Sequence, residues 1–285
     1  KELTKSEVLM TRGWILGVAF CSFLAPIGLA DADRAWMLAS PQEIAKAQTV
    51  RAIPQSAAVF RMSRAAQQAV LASAPLENSA KADDAPVVML PRPDGMLEAF
   101  VVVESPIMEP ELAAKYPQIR TYSAQGIDNP AATARLSMNE LGFFATVFSP
   151  EGDYAIAPTD LSADAAYISE STRGHAEWEC GATGEPVETP PSVIAAATGD
   201  KLRTYRIAVS MDPQVCVNVC GGTVAGGLSG VTNAVNAINA LWEKEFAIRL
   251  ILVANNDLVI FTNTASHPFD VSVRTEMMQS NGSVL

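Results

Sequence analysis

The sequence predicts an α+β chain in two parts: a β-rich first part, then an α/β part made of a strand, a long helix and a strand. Three observations predict it. Between Val87 and Ala157, short apolar runs alternate with turn residues. From Val224 through Leu228, Val231, Val235 and Ile238 to Trp242, apolar residues recur at spacings of 4, 3, 4, 3 and 4, which is one face of a helix. A near-continuous apolar run, Ile248 to Ala254, follows that helix, the pattern of a strand covered on both faces. The 285 residues are 49% hydrophobic and 18% charged, enough apolar material for two ordinary domains at roughly 150 residues each.

At the start, Trp14 to Ala30 carries no charge, follows Arg12, and ends in small residues at Gly28-Leu29-Ala30 and Ala30-Asp31-Ala32. This predicts a cleaved secretory signal over residues 10–32, with Met10 as its first residue; whether residues 1–9 are native stays open. The run is shorter than the ~20 apolar residues that span a bilayer and contains Pro26. The expected product is secreted, extracellular or periplasmic, without a stable membrane anchor.

Residues 33–86 read as a helical and linker segment. Ile44, Val50, Val59, Phe60, Val70 and Leu71 are loosely spaced among Ala, Gln and Arg, Pro54 interrupts them, and Ser73 to Pro86 lacks periodicity. A second unit spans 87–198. Its expected strands are Val87 to Leu90, Phe100 to Val103, Leu141 to Phe148 and Tyr154 to Ala157, with turns at Pro93-Asp94-Gly95 and Pro150-Glu151-Gly152 and a short helix from Pro110 to Tyr116. The polar stretch Ser171 to Pro191 closes it.

The last unit, 199–285, opens with a strand from Arg203 to Met211, then a loop through Cys216 and Cys220. Thr223 is the expected N-cap of the long helix. Ala225, Gly226, Gly227, Gly230 and Ala234 keep other faces of that helix small, which permits close approach to a sheet. Asn255-Asn256-Asp257 ends the following strand, and Leu258 to Phe261 reads as one more. Strand, helix and strand predict a right-handed crossover.

Several chemistries are excluded. A net charge of -11 removes the basic footprint that nucleic-acid binding needs. With 2 His, 4 Cys and no Cys-x-x-Cys pair, a zinc ribbon or finger has no ligands. The glycines from Gly221 to Gly227 match neither a dinucleotide fingerprint nor a phosphate loop and read as packing glycines. No Gly-x-Ser-x-Gly elbow is present, and no carboxylate pair stands out. Asn255-Asn256-Asp257 alone cannot complete a calcium shell. His175 and His267 read as surface residues. Export would leave Cys180, Cys216 and Cys220, an odd number. The spacing of Cys216 and Cys220 allows a local disulfide if their loop is not helical, leaving Cys180 unpaired.

Four pieces of the last unit resemble, in order, the opening of the catalytic domain of bacterial secreted reprolysin-like zinc metallopeptidases, of the metzincin group. They are Leu202 to Val209, Gly221-Gly222-Thr223-Val224, Val235-Asn236-Ala237-Ile238-Asn239, and Leu250 to Asp257. Upstream, Phe100 to Pro106, Tyr116 to Tyr122 and Gly126-Ile127-Asp128 resemble the propeptide of that family. The resemblance covers about two thirds of the chain. It implies a signal, a helical and linker pro-segment over 33–86, a β-rich propeptide domain over 87–198 and the N-terminal part of a metzincin-like domain over 199–285, with propeptide and protease part in contact within one chain. It also implies protein or peptide substrates for the full-length parent.

The family's zinc site is a His-Glu-x-x-His helix with a third His beyond it. This sequence has no such motif, so no catalytic or cofactor-binding residue is carried over, zinc belongs to the parent, and the chain alone is expected to be inactive. Calcium dependence is open. Cys180-Gly181 resembles the Cys-Gly of latency switches, in which a thiolate fills the open zinc position, so Cys180 is the one candidate metal ligand; a disulfide partner is its alternative reading. The rival function is a secreted, non-enzymatic binding or adhesion module, which a downstream His-Glu-x-x-His helix would exclude.

Overall fold

The computed structural model describes residues 35–79, 84–172, 201–263 and 265. Expectations that fall on 10–32, on His175 and Cys180, and on His267 lie outside them. The chain is α+β: nine antiparallel strands form one strongly curled sheet, followed by a two-stranded parallel sheet with a long helix.

The large sheet contains β1 (Trp36–Leu38), β2 (Ala58–Met62), β3 (Val87–Pro91), β4 (Leu97–Glu104), β5 (Arg120–Gly126), β6 (Thr133–Asn139), β7 (Gly142–Phe148), β8 (Tyr154–Pro158) and β9 (Tyr167–Ser171). Their spatial order is β1-β2-β9-β8-β7-β6-β5-β4-β3, so β3 to β9 form a meander and β1 and β2 extend it beyond β9. Period-two burial explains the strands: Phe100 and Val102 on β4, and Phe143, Ala145 and Val147 on β7, face one core. Trp36 sits inside, edge-on to Phe60, Phe143 and Tyr167 at centroid distances of 6.3, 5.6 and 5.4 Å.

The segment expected to be helix and linker, 33–86, is corrected here. It does carry two helices, α1 (Pro41–Val50) and α2 (Arg64–Ala72). Ser40 and Glu43 form a capping box on α1, with Pro41 at its first position, and Ser63 caps α2. It also supplies β1 and β2, and β2 pairs with β9 from Ala58 opposite Ser169 to Phe60 opposite Tyr167. Residues 35–79 and 84–172 therefore share one sheet. Loose hydrophobic spacing misled because long-range pairing with β9, not local propensity, makes Val59 and Phe60 extended. Helix α3 (Pro110–Lys115) forms where expected. Among the described residues no single helix is long and apolar enough to cross a membrane.

Candidate functional site

The second part of the chain is the predicted strand–helix–strand unit. Strand β10 (Arg203–Ile207) lies parallel to β11 (Ile248–Leu252), in register from Arg203 opposite Ile248 to Ile207 opposite Leu252. Helix α5 (Val224–Phe246) joins them; the Thr223 hydroxyl accepts from Gly226 N–H at 2.9 Å, the predicted N-cap. Leu228, Val231 and Val235 are buried, but Ile238 is 41% exposed and Trp242 36%, so the apolar stripe leaves the core before the helix ends. Strand β11 is less covered than its sequence suggests, with only Leu250 and Leu252 fully buried.

Three local expectations change. The run Arg203 to Met211 is strand only as far as Ile207. The segment after β11 is a 3₁₀ helix (Asn256–Val259) rather than a strand, and only Ile260 reaches back, bridging Met211. Its cause is Asn256, which is fully buried: its side chain accepts from Val209 N–H at 2.7 Å and donates to Val209 C=O at 3.1 Å, so it substitutes for a strand partner and turns the chain. Third, the loop through Cys216 and Cys220 is a helix, α4 (Pro213–Val219), with Asp212 as N-cap and Pro213 at the first position.

Both cysteines are free and buried, one turn apart, against Met211 and the glycines of α5. The disulfide that a non-helical loop would have allowed is absent. Burial pushes the Cys216 thiol up, partly opposed by a backbone hydrogen bond at Gly227; burial and then the neighbouring Cys216 push Cys220 up. Such thiols stay protonated and unreactive. In the native chain neither should react with a water-soluble alkylating agent, and both should react once urea unfolds it. Peptide mapping by mass spectrometry reads this, and a Cys216–Cys220 disulfide in a non-reduced digest would contradict it.

The best-built polar arrangement joins the two parts. Helix α5 lies on β6 and β7. Strand β6 is buried on both faces: Ala134, Leu136 and Met138 face the large core, while Arg135, Ser137 and Asn139 alternate with them and include the residues that meet α5. Asn236 donates to Leu136 C=O at 2.9 Å and to the Ser137 hydroxyl at 3.0 Å, and Asn139 donates to Asn233 at 2.7 Å. At the far end four charges of alternating sign span the junction. Arg135 binds Glu243, Glu243 binds Arg249 at 2.6 Å, and Arg249 binds Glu77. Arg135 also donates to Ser105 Oγ at 2.6 Å. Burial pushes the Glu243 carboxyl up, but hydrogen bonds from Arg249 and Arg135 outweigh it and hold it below the usual carboxylate value.

A second seam runs along β11. Leu252 N–H donates to Ile107 C=O at 2.8 Å and Glu109 N–H donates to Leu252 C=O at 2.9 Å, a parallel bridge centred on Met108. Ile107, Met108, Leu112 and Ile119 join Leu228, Val231, Val235, Leu250 and Leu252 in one apolar cluster. The Glu109 carboxylate binds Arg206 and accepts from Ala254 N–H at 2.7 Å, and both bonds hold its pKa down. Lys115 pairs with Asp257 at 3.2 Å.

Sequence reasoning singled out none of Glu77, Glu109, Arg135, Glu243 or Arg249. The strict alternation in Thr-Ala-Arg-Leu-Ser-Met-Asn at 133–139 was the available signal for β6. Among the described residues no group of three or more His, Cys, Asp or Glu could hold a metal ion. The arrangement described is a junction between the two parts of the chain. A family model for metallopeptidases of family M12B, reprolysin-like, matches residues 201–283, a range that takes in β10, α5 and β11 whole. No curated protein and no solved structure matches the chain.

Proposed function

We propose that residues 201–283 are the front of a zinc-dependent metalloendopeptidase domain and that residues 35–172 are a pro-segment seated against it, in a precursor exported by way of residues 10–32. The observation that carries this reading is the family match, which covers the strand–helix–strand unit from before its first strand. The described residues of this chain do not fit a zinc site. They hold no ligand cluster, and the sequence has no His-Glu-x-x-His helix. No step of peptide hydrolysis is therefore assigned to them. Their part is scaffolding: α5 and β11 give the domain its first layers, and the first unit covers the faces these leave open. Cys180, in the connector, keeps its role as candidate latency ligand within this reading.

The test has two arms. The purified chain, supplied with zinc, is expected to show no chelator-sensitive hydrolysis of casein; hydrolysis by homogeneous material would overturn the assignment of chemistry to downstream sequence. The reading frame beyond Leu285 is expected to encode a His-Glu-x-x-His helix, and a continuous frame without one would favour the non-enzymatic module.

A further inference from the structure

We infer that Pro106-Ile107-Met108-Glu109-Pro110 is a docking strand of fixed length, and that through it residues 35–172 act as a non-covalent protein ligand for the α/β unit once the connector between 172 and 201 is cut. The inference goes beyond the metallopeptidase reading and does not rest on it, since its readout is complex formation and not hydrolysis.

Strand addition to a sheet edge draws its affinity from main-chain hydrogen bonds and its specificity from alternate side chains. Both are present. The outer edge of β11 offers the N–H and C=O of Leu252, and Ile107 and Glu109 take them at 2.8 and 2.9 Å. Leu250, two residues earlier on the same edge, is already closed by Asn239, which donates to its C=O at 2.9 Å and accepts from its N–H at 2.8 Å. The open length of the edge is therefore short, and the donor segment is short to match. At the other end the Ala254 N–H is taken by the Glu109 carboxylate, and Pro110 begins α3, so the ladder stops there. The side chains give the specificity. Ile107 and Met108 are 1% and 8% exposed within the shared cluster, while Glu109 reaches Arg206 and the Ala254 N–H beyond the strand end.

The remaining junction has the character of a surface that can also exist in water. It is polar along α5, through Asn233, Asn236 and Glu243. The buried Ser229 Oγ, Thr232 Oγ1 and Asn236 Oδ1 have no protein partner among the described residues. Unpaired buried polar atoms weaken a permanent core, and non-obligate interfaces are the more polar kind. The alternating charges Glu77, Arg249, Glu243 and Arg135 then fix the register of one part on the other.

The experiment uses the full chain with a site-specific protease sequence placed in the connector. After cutting, the two pieces are expected to co-elute on size exclusion at neutral pH and micromolar concentration. Titration of labelled pieces then gives a Kd. Glu109→Ala, which loses both the ion pair and the bond from Ala254 N–H, should raise it about tenfold, and Arg206→Ala, which loses only a solvent-screened ion pair, about two- to threefold. Arg206 is 69% exposed and Glu109 lies at the rim, outside the apolar cluster, so the variants should fold; far-ultraviolet circular dichroism verifies this. Lys46→Ala, which breaks only the distant exposed pair with Asp164, should leave Kd unchanged. Separation of the pieces at neutral pH, including loss of the C-terminal piece from solution, overturns the inference. So does a Kd that neither Glu109→Ala nor Arg206→Ala alters.

Discussion

Glu243→Ala is expected to destabilise the chain by about 3 kcal/mol, because it leaves Arg135 buried without a counter-charge. The Arg135 side chain is 3% exposed, and its remaining partner would be the neutral Ser105 hydroxyl. Arg249 would suffer less, since it keeps Glu77. The loss should appear as a lower urea midpoint. Replacing both partners, Arg135→Met with Glu243→Leu, should recover most of it, because a charge pair exchanged for apolar groups of similar size is often near neutral. A single variant within 1 kcal/mol of the parent would show that water reaches Arg135 and that the charge chain is a surface feature.

The same carboxylate fixes a pH dependence. Its folded pKa lies below its unfolded value, because hydrogen bonds to Arg249 and Arg135 outweigh burial. A depressed carboxylate contributes stability that is fully present above the unfolded pKa, about 4.3, and is lost as pH falls through the folded value. The difference between the parent chain and Glu243→Ala should therefore be constant from neutral pH down to about 5 and shrink below that. A difference that instead grew on acidification would reverse the sign assigned to Glu243.

What the sequence made legible follows a physical division. Elements whose signal is local and apolar were readable: α5 with its cap at Thr223, and β4, β7 and β8 from their hydrophobic runs. Elements held by distant partners were not. Strand β2 is extended because β9 pairs with it, and neither segment announces the other. Helix α4 was missed although Asp212-Pro213 is a helix-start signal, with Asp212 accepting from Gln214 N–H at 2.8 Å; the two cysteines and following glycines drew the reading toward a loop. The junction was the least legible feature of all. Ser229, Thr232 and Asn236 form a polar stripe on α5 that looks solvent-facing, and Arg135, Ser137 and Asn139 look the same on β6. Two polar faces that bury each other leave no hydrophobic pattern, so only the folded chain reveals that they meet.

The glycines at the start of α5 are packing glycines, and two of them give the second large effect by different routes. A methyl group at Gly226 would fall on the Cys220 carbonyl oxygen and come within 3.0 Å of the Thr223 hydroxyl. That carbonyl is main chain, and the adjoining Cys220 and Gly222 N–H groups both donate to Cys216 C=O, at 3.0 and 2.9 Å, so it has little room to move. Glycine to alanine inside a helix ordinarily gains about 1 kcal/mol. At Gly226 the clash should outweigh that gain and cost about 3 kcal/mol net, at the upper end of overpacking. Gly230 differs because its methyl group would meet a side chain, lying 2.6 Å from Cys220 Sγ. Gly230→Ala alone should lose about 1–3 kcal/mol, since Cys220 is buried and its sulfur has nowhere to turn. Cys220→Ala removes the sulfur, leaves space for that methyl group, and should return the double variant to parental stability or above it, a coupling of about 1–3 kcal/mol. The same Cys220→Ala change should do nothing for Gly226→Ala, because the obstructing oxygen remains. Urea denaturation of the five variants decides the matter: rescue of both glycine variants, or of neither, would mean that α5 does not approach α4 in the way described.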